Sequence, residues 1–302
     1  VSESVEKITD YFAVNLNISY SFASLPLINA VSSNNKVQLK LDPNFVTGFV
    51  DAEGSFMVLL YKNAGCKSGY RVQTIFQISL HDKDRAILFG IRDSLGGVGE
   101  VYDRGKDACI YRVCTPKELT NVIDHFDNYP LLTQKRADFE LFKSVVAMMK
   151  RKEHLTIEGV RKIVAIKASI NNGLPVDLFE SFSDVIPCAR PEVKFTGNLD
   201  PQWVAGFVSG EGSFYISIRK SLALQVGAQV LLRFTITQHS RDQELMQRFI
   251  AFFGCGKIEP DSRGSAVSFV VYRFSDIYDN ICIFFKKYEI EGNKKHDFFR
   301  FL

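Results

Sequence analysis

The 302-residue sequence predicts an α+β protein made of two related modules, each running helix, two strands, helix, two strands and then helices. Three observations carry this. The phrase "GFVDAEGSF" at 48–56 returns as "GFVSGEGSF" at 206–214, 158 residues later. Each copy is followed by segments in which polar and apolar side chains alternate with period two. Hydrophobic residues make up 46% of the chain, with 26 Phe among them, enough to give each module its own core.

The duplication reaches well beyond that phrase. "LDPNFV" (41–46) matches "LDPQWV" (199–204), and "FQISLHDKD" (76–84) matches "FTITQHSRD" (234–242), both at the same offset. "SLGGVGEV" (94–101) parallels "FFGCGKI" (252–258), "TPKEL" (115–119) parallels "RFSDI" (273–277), and "YPLLTQKRADF" (129–139) meets "YEIEGNKKHDF" (288–298) at offset 159. Self-similarity kept in one order marks two copies of one module. The boundaries that follow are 41–173 and 199–302. A proline-containing linker (174–198) joins them, and a leader (1–40) has no counterpart in the repeat. The first copy continues through 140–173 as two further helices, with Thr156 as N-cap and Gly173 as stop. The second ends four residues after "HDF" and is expected to be shortened relative to the first. The chain starts without Met, so it is expected to be processed, fused upstream or trimmed.

In each copy the first helix spans the repeated phrase, at 44–52 and 202–210. Asp42 and Asp200 are candidate N-caps, Pro43 and Pro201 occupy the first helical position, and Gly54 and Gly212 fit the stop. Small residues fall four apart, Gly48 with Ala52 and Gly206 with Gly210, a strip that lets two helix backbones pack closely. If the helices pack on each other, Glu53 and Glu211 emerge side by side. Within the repeated nine-residue phrase they form the one carboxylate position present in both copies, whereas Asp51 becomes Ser209. Two adjacent carboxylates repel unless a cation neutralises them, and oxygen-ligated Mg²⁺ is the natural one.

The strands follow. Tyr215, Ser217 and Arg219 alternate with Phe214, Ile216 and Ile218. Gln225, Gly227, Gln229, Leu231, Arg233, Thr235 and Thr237 alternate with an apolar set. In copy one Arg71, Gln73, Ile75, Gln77 and Ser79 oppose Val72, Thr74, Phe76 and Ile78. No acid occurs from Gly54 to His81 or from Gly212 to Arg241, yet Lys62, Lys67, Arg71, Arg219, Lys220, Arg233 and Arg241 do. Acid-free strands bearing Arg, Gln, Ser and Thr suit phosphate neutralisation and base-edge hydrogen bonds. A ten-residue ribbon reaches ~33 Å, about ten base pairs, so two copies cover about twenty. The turns 100–107 and 257–263 add Arg104, Lys106, Lys257 and Arg263. Arg112 is one-sided, its counterpart being Val270.

Other classes are disfavoured. A net charge of +3 does not by itself point to nucleic acid; its distribution does. The six cysteines form no C-x-x-C pair, which argues for reduced, mostly buried thiols. No apolar run approaches membrane-span length, and the acidic start resembles no presequence. His81 and His239 repeat at strand ends as capping or phosphate-contact residues, and Trp203, opposite Phe45 in the repeat, reads as helix-anchoring core.

The phrases "VTGFVDAEG" and "VAGFVSGEG" resemble two diverged copies of the motif that names the LAGLIDADG homing endonucleases. The chain is similar to their single-chain, two-motif form over 41–302, and its "FQIS"/"FTIT" strands are nearest the fungal mitochondrial intron-encoded branch. The resemblance implies pseudo-symmetric αββαββα modules packed through their motif helices, with antiparallel sheets forming a DNA-binding saddle. It implies a metal-dependent double-strand break across the minor groove of a long asymmetric target, leaving short 3′ overhangs and promoting intron mobility. It also implies a monomer of mitochondrial origin. Glu53 and Glu211 take the family's metal-binding position, with the carbonyls of Ala52 and Gly210 beside them. Mg²⁺ is the implied cofactor, with Mn²⁺ substituting and Ca²⁺ supporting binding without cleavage. Lys135 and Lys294 match the lysines that line the family's active site, and Gln238 matches its water-ordering glutamine, whose place in copy one is held by Leu80. The rival readings on this scaffold are an intron maturase binding host intron RNA and a DNA-binding protein without nuclease activity.

Overall fold

A computed structural model describes residues 40–194, 197–225, 227–260 and 264–302; the leader 1–39 and the turn residue Arg263 lie outside the described residues. The first module runs α1 (Pro43–Glu53), β1 (Gly54–Lys62), β2 (Tyr70–His81), α2 (Arg85–Ser94), β3 (Glu100–Asp103), β4 (Ala108–Val113), α3 (Leu119–Asn128), α4 (Lys135–Lys150) and α5 (Ile157–Lys167). A short helix α6 (Val176–Ser181) follows within 174–198, and its Leu178, with Phe182 just beyond, is buried in the first module's core. The second module repeats the order: α7 (Pro201–Glu211), β5 (Gly212–Lys220), β6 (Ala228–His239), α8 (Gln243–Phe253), β7 (Lys257–Pro260) and β8 (Ala266–Val271). After β8 come α9 (Phe274–Asp276), a π-helical stretch (Ile277–Cys282), α10 (Ile283–Lys287) and α11 (Lys294–Phe301). Two four-stranded antiparallel sheets result, ordered β1-β2-β4-β3 and β5-β6-β8-β7.

The cores repeat along with the sequence. Phe56, Phe76, Phe126 and Phe139 interlock at ring-centroid distances of 5.3–6.0 Å in the first module. Their counterparts Phe214, Phe234, Phe285 and Phe298 do so at 5.1–5.9 Å in the second. Such aromatic pairs add to the burial of their area. The apolar face of β1, at Phe56, Val58 and Leu60, is covered. On β5 the same face is open, with Ile216 40% and Ile218 54% exposed.

Local chemistry agrees with the sequence at most boundaries. Asp42 and Asp200 accept from the amides of Asn44 and Gln202, and Thr156 caps α5 through Gly159 N–H. Gly173 carries φ +77°, but α5 ends at Lys167, with turns between, so the glycine closes a turn and not the helix itself. Gly54 and Gly212 end their helices at φ −75° and −72°, not in the left-handed region. They pass straight into strands, and a Cβ there would meet Val50 Cγ1 at 2.5 Å or Val208 Cγ1 at 2.4 Å. The glycines thus serve close packing. Of the six free thiols only Cys109 and Cys282 are buried and the other four are half-buried, fewer than the sequence suggested. No described helix is long and apolar enough to cross a membrane.

Candidate active site

The two motif helices α1 and α7 pack on each other through the small-residue strip. A Cβ on Gly48 would lie 2.0 Å from the Trp203 carbonyl oxygen, and one on Gly206 would lie 2.0 Å from that of Phe45. Contact this close between backbones brings the helix ends together. A Cβ on Gly210 would stand 2.3 Å from Ala52 Cβ and 3.5 Å from Glu53 Oε1, so the Glu53 carboxylate lies against the residue preceding Glu211. Beside it opens a cavity of about 500 Å³ whose lining includes Glu53, Leu80, Asp84, Gly210 and Lys294.

Each lysine that the resemblance singled out reaches the C-terminal end of its own module's motif helix. Lys135, at the start of α4, donates from Nζ to the carbonyls of Val50 (2.9 Å) and Ala52 (3.2 Å). Lys294, at the start of α11, donates to the Gly210 carbonyl. Burial pushes both ammonium groups below the ordinary lysine range. Asp51, Glu211 and Glu53 oppose this at Lys135, and Glu53, Glu211 and Asp84 oppose it at Lys294. Burial, followed by the negative charge of Glu53, raises the Glu211 carboxyl, while both lysines pull it down. Gln238 holds its Nε2 3.5 Å from Glu211 Oε1 and its Oε1 on the amide of His239. Leu80, its counterpart, has no such group, so the two sides of the junction differ at this position.

The residues fit a hard divalent cation, and the reason is Glu211. A half-buried carboxylate beside a second one is the arrangement that a cation stabilises. Among the described residues no group of three or more His, Cys, Asp or Glu is placed to hold a metal. The protein therefore offers two carboxylates, plus the carbonyls of Ala52 and Gly210, each of which already accepts from a lysine. The remaining positions suit water and phosphate oxygens, as Mg²⁺ prefers.

The proposed DNA-facing residues are less uniform. Lys62, Lys67, Arg71, Arg104, Arg219, Lys220, Gln225, Gln229 and Lys257 are exposed, as is Ser79. Gln73, Gln77, Arg112, Arg233 and Thr237 are half-buried, and Thr235 is only 9% exposed. Arg112 donates to Gln77 Oε1 from both Nε and a terminal nitrogen and lies over the Tyr102 ring, so its fork is fixed in place. In the second module Glu259, outside the acid-free stretch, sits 2.9 Å from Lys257 and 3.8 Å from Arg233 and accepts from Tyr272. Sequence reasoning missed this acid, which lies on a β7 position paired with Ser268 in β8. His81 and His239 cap the turns after β2 and β6 by accepting from the amides of Lys83 and Arg241.

Asp51 was also underestimated. It is buried and accepts from the amides of Leu132 and Thr133, the Thr133 hydroxyl and the Trp203 indole N–H, at 2.6–3.2 Å. It therefore holds the segment leading to Lys135 and ties it to the second module. Ser209 does part of the same work, accepting from Glu291 N–H at 3.1 Å ahead of Lys294.

The family model described as LAGLIDADG endonuclease matches the chain twice, over 46–146 and 204–302. Two curated relatives from Neurospora crassa, probable intron-encoded endonucleases 3 and 2, are 41% and 39% identical over 262 and 275 residues, each covering 86% of this chain. The chain spans 49% and 59% of their lengths. The crystal structure of the I-SmaMI LAGLIDADG homing endonuclease bound to cleaved DNA is 44% identical, with a TM-score of 0.85, over 87% of this chain and 88% of that one. I-SmaMI has also been solved on an uncleaved DNA target with calcium ions, and as a double alanine variant of two lysines 159 residues apart. Taken with the paired motif helices and their glutamates, the matches over both modules place this chain in the LAGLIDADG endonuclease family.

Proposed function

We propose that the protein is a site-specific DNA endonuclease that makes a metal-dependent double-strand break in a long asymmetric target, leaves short 3′ overhangs, and thereby promotes mobility of its host intron. One observation carries the reading: Glu53 and Glu211 share the junction of the packed motif helices, and a lysine from each module reaches that same junction. Glu53 and Glu211 hold the divalent cation. A cation bound there supplies Lewis acidity at the scissile phosphate and acidifies its own water.

The chain's residues do the rest. Lys135 and Lys294 bring positive charge to the phosphate as it gathers negative charge, in a site dry enough to strengthen that attraction. Gln238 orders water in one half-site, and Leu80 leaves the other without that help, so the strands are cut at unequal rates. The lysines replaced in I-SmaMI share the 159-residue spacing of Lys135 and Lys294, which supports giving them this role. The exposed cations and amides of the strands neutralise phosphates and read base edges over about twenty base pairs. The internal repeat makes a monomer sufficient, and the fungal intron-encoded relatives support a mitochondrial origin.

The test is cleavage of a plasmid carrying the intron-insertion site, in Mg²⁺ and in Ca²⁺. Cutting in Mg²⁺, with binding alone in Ca²⁺, is the expected result. Tight binding without cutting in any divalent cation would leave a DNA-binding protein or a maturase. Glu53→Gln is expected to abolish cutting of both strands; normal cutting would overturn the metal assignment.

A further inference from the structure

Beyond the lysines themselves, an acid in each module reaches across to the lysine-bearing segment of the other. Asp242, in the turn before α8, accepts from the amide of Gln134 at 2.7 Å. Asp84, in the matching turn before α2, accepts from the amide of Asn293 at 2.5 Å. Gln134 and Asn293 immediately precede Lys135 and Lys294, and Asp84 and Asp242 are matched positions of "HDKD" and "HSRD". The same bond is therefore made twice, in both directions across the pseudo-twofold axis.

Helix starts leave amide donors without intrahelical partners, and a carboxylate is the preferred group to satisfy them. Helices α4 and α11 each take one such carboxylate from the opposite module, while Lys135 N–H donates to Thr133 Oγ1 of its own. Asp242 is 5% exposed, and Gly292 permits the second contact, because a Cβ there would lie 2.5 Å from Asp84 Oδ1. Neither acid lies in the repeated motif phrase, and neither touches Glu53 or Glu211 through any hydrogen bond described.

We propose that Asp84 and Asp242 are positioning residues that cap the lysine-bearing helices in trans, so that each module's lysine is set in place only when the other module is docked. The proposal rests on the reading of Lys135 and Lys294 as active-site lysines. A chain whose modules are misaligned would then hold its metal-binding glutamates and its lysines out of register together, and would not cut. The pairing is specific: Asp242 serves Lys135, and Asp84 serves Lys294.

The experiment compares strand-resolved cleavage by Asp242→Ala, Asp84→Ala, Lys135→Ala and Lys294→Ala, with Asp242→Asn and Asp84→Asn as variants that keep an accepting oxygen. Asp242→Ala is expected to slow cleavage about tenfold, with the strand bias of Lys135→Ala. Asp84→Ala is expected to share the bias of Lys294→Ala. Both Asn variants should recover most of the rate, and DNA affinity in Ca²⁺ should change by less than about threefold. Equal slowing of both strands, or the opposite pairing of biases, overturns the proposal, because general loss of stability cannot select a strand. Amide hydrogen exchange provides a second arm independent of cutting. Exchange at Gln134 should accelerate in Asp242→Ala and be restored in Asp242→Asn; unchanged protection there also overturns the proposal. If both lysine variants cut normally while exchange behaves as expected, the lysine assignment is at fault and the cross-module caps stand.

Discussion

Replacing Gly48 by alanine tests whether close approach of the motif helices sets the site. An alanine Cβ at 48 would lie 2.0 Å from the Trp203 carbonyl oxygen and 2.9 Å from Phe207 N, where ordinary contact begins at 3.4 Å. Both obstacles are backbone of a buried helix, so no rotamer change relieves them, and the helices must separate locally by about 1.4 Å. Helix propensity favours alanine by about 1 kcal/mol, and overpacking costs about 1–3 kcal/mol, which leaves a net loss of about 1 kcal/mol. The larger effect falls on rate. Separation carries Glu53 away from Gly210 and Glu211, and a misplacement near 1 Å costs about a hundredfold. Gly48→Ala is thus expected to melt a few degrees lower and to cut about a hundred times more slowly, while its DNA affinity in Ca²⁺ stays near wild type. Gly206→Ala, which meets Phe45 O at 2.0 Å, should behave alike. Wild-type cleavage with a raised melting temperature in either variant would refute close helix contact as the determinant of the site.

Further outcomes follow from the buried and half-buried polar groups. Glu211→Gln should raise the melting temperature at pH 7 while abolishing cleavage. Burial and Glu53 hold the folded carboxyl above its unfolded value, so ionisation weakens folding as pH rises, and the gain should shrink towards pH 4; a destabilised variant would contradict this. Burial lowers His125 from 6.5 to about 4, and its neutral ring stands 3.1 Å from Thr47 Oγ1. Its contribution is complete above the unfolded value and is lost as pH falls towards 4, about 2 kcal/mol between pH 7 and pH 5. His125→Gln should flatten that limb of the urea-unfolding profile, and an unaltered pH slope would remove His125 as the cause. Asp51→Ala strands the amides of Leu132 and Thr133 and the Trp203 indole, for a loss of about 3 kcal/mol. Asp51→Asn should lose less, and equal losses would mean that the accepting oxygens are not what matters.

The frame of the fold was legible because each signal is local and appears twice. Asp-Pro starts, period-two strands and the glycine strip each name their own element, and matching them across the repeat removed most ambiguity. What escaped lies at long range in sequence. The trans caps join residues 108 and 209 apart, so nothing near Asp84 or Asp242 announces a helix end to be satisfied. Their one visible trace was that both aspartates recur in "HDKD" and "HSRD". Glu259 escaped for another reason: the acid-free stretches cover the strands nearest the motif, while a sheet face also collects side chains from strands later in sequence. The open apolar face of β5 has the same origin, since period two identifies a face and says nothing about what covers it.

The loss of Asp51's acid at Ser209 also has a structural cause. Asp51 receives four donors, and two of them depend on residues that the repeat does not preserve. The Trp203 indole reaches Asp51 from the second module, but the counterpart of Trp203 is Phe45, whose ring has no N–H to satisfy. The Thr133 hydroxyl reaches Asp51 as well, but the counterpart of Thr133 is Gly292, required there by its contact with Asp84. The Ser209 hydroxyl accepts from one backbone donor, Glu291 N–H, while giving its own proton to the Ala205 carbonyl. A carboxylate at that 7%-exposed site would be desolvated with half its partners missing, which costs more than a neutral hydroxyl. Glu53 and Glu211 are under a different constraint, since both lie at the shared junction of the motif helices, where Glu53 and a lysine from each module act on the Glu211 charge. The repeat thus keeps an acid at the junction that both motif helices share, and lets it go at position 209, where the donors that Asp51 takes from Trp203 and Thr133 have no counterparts.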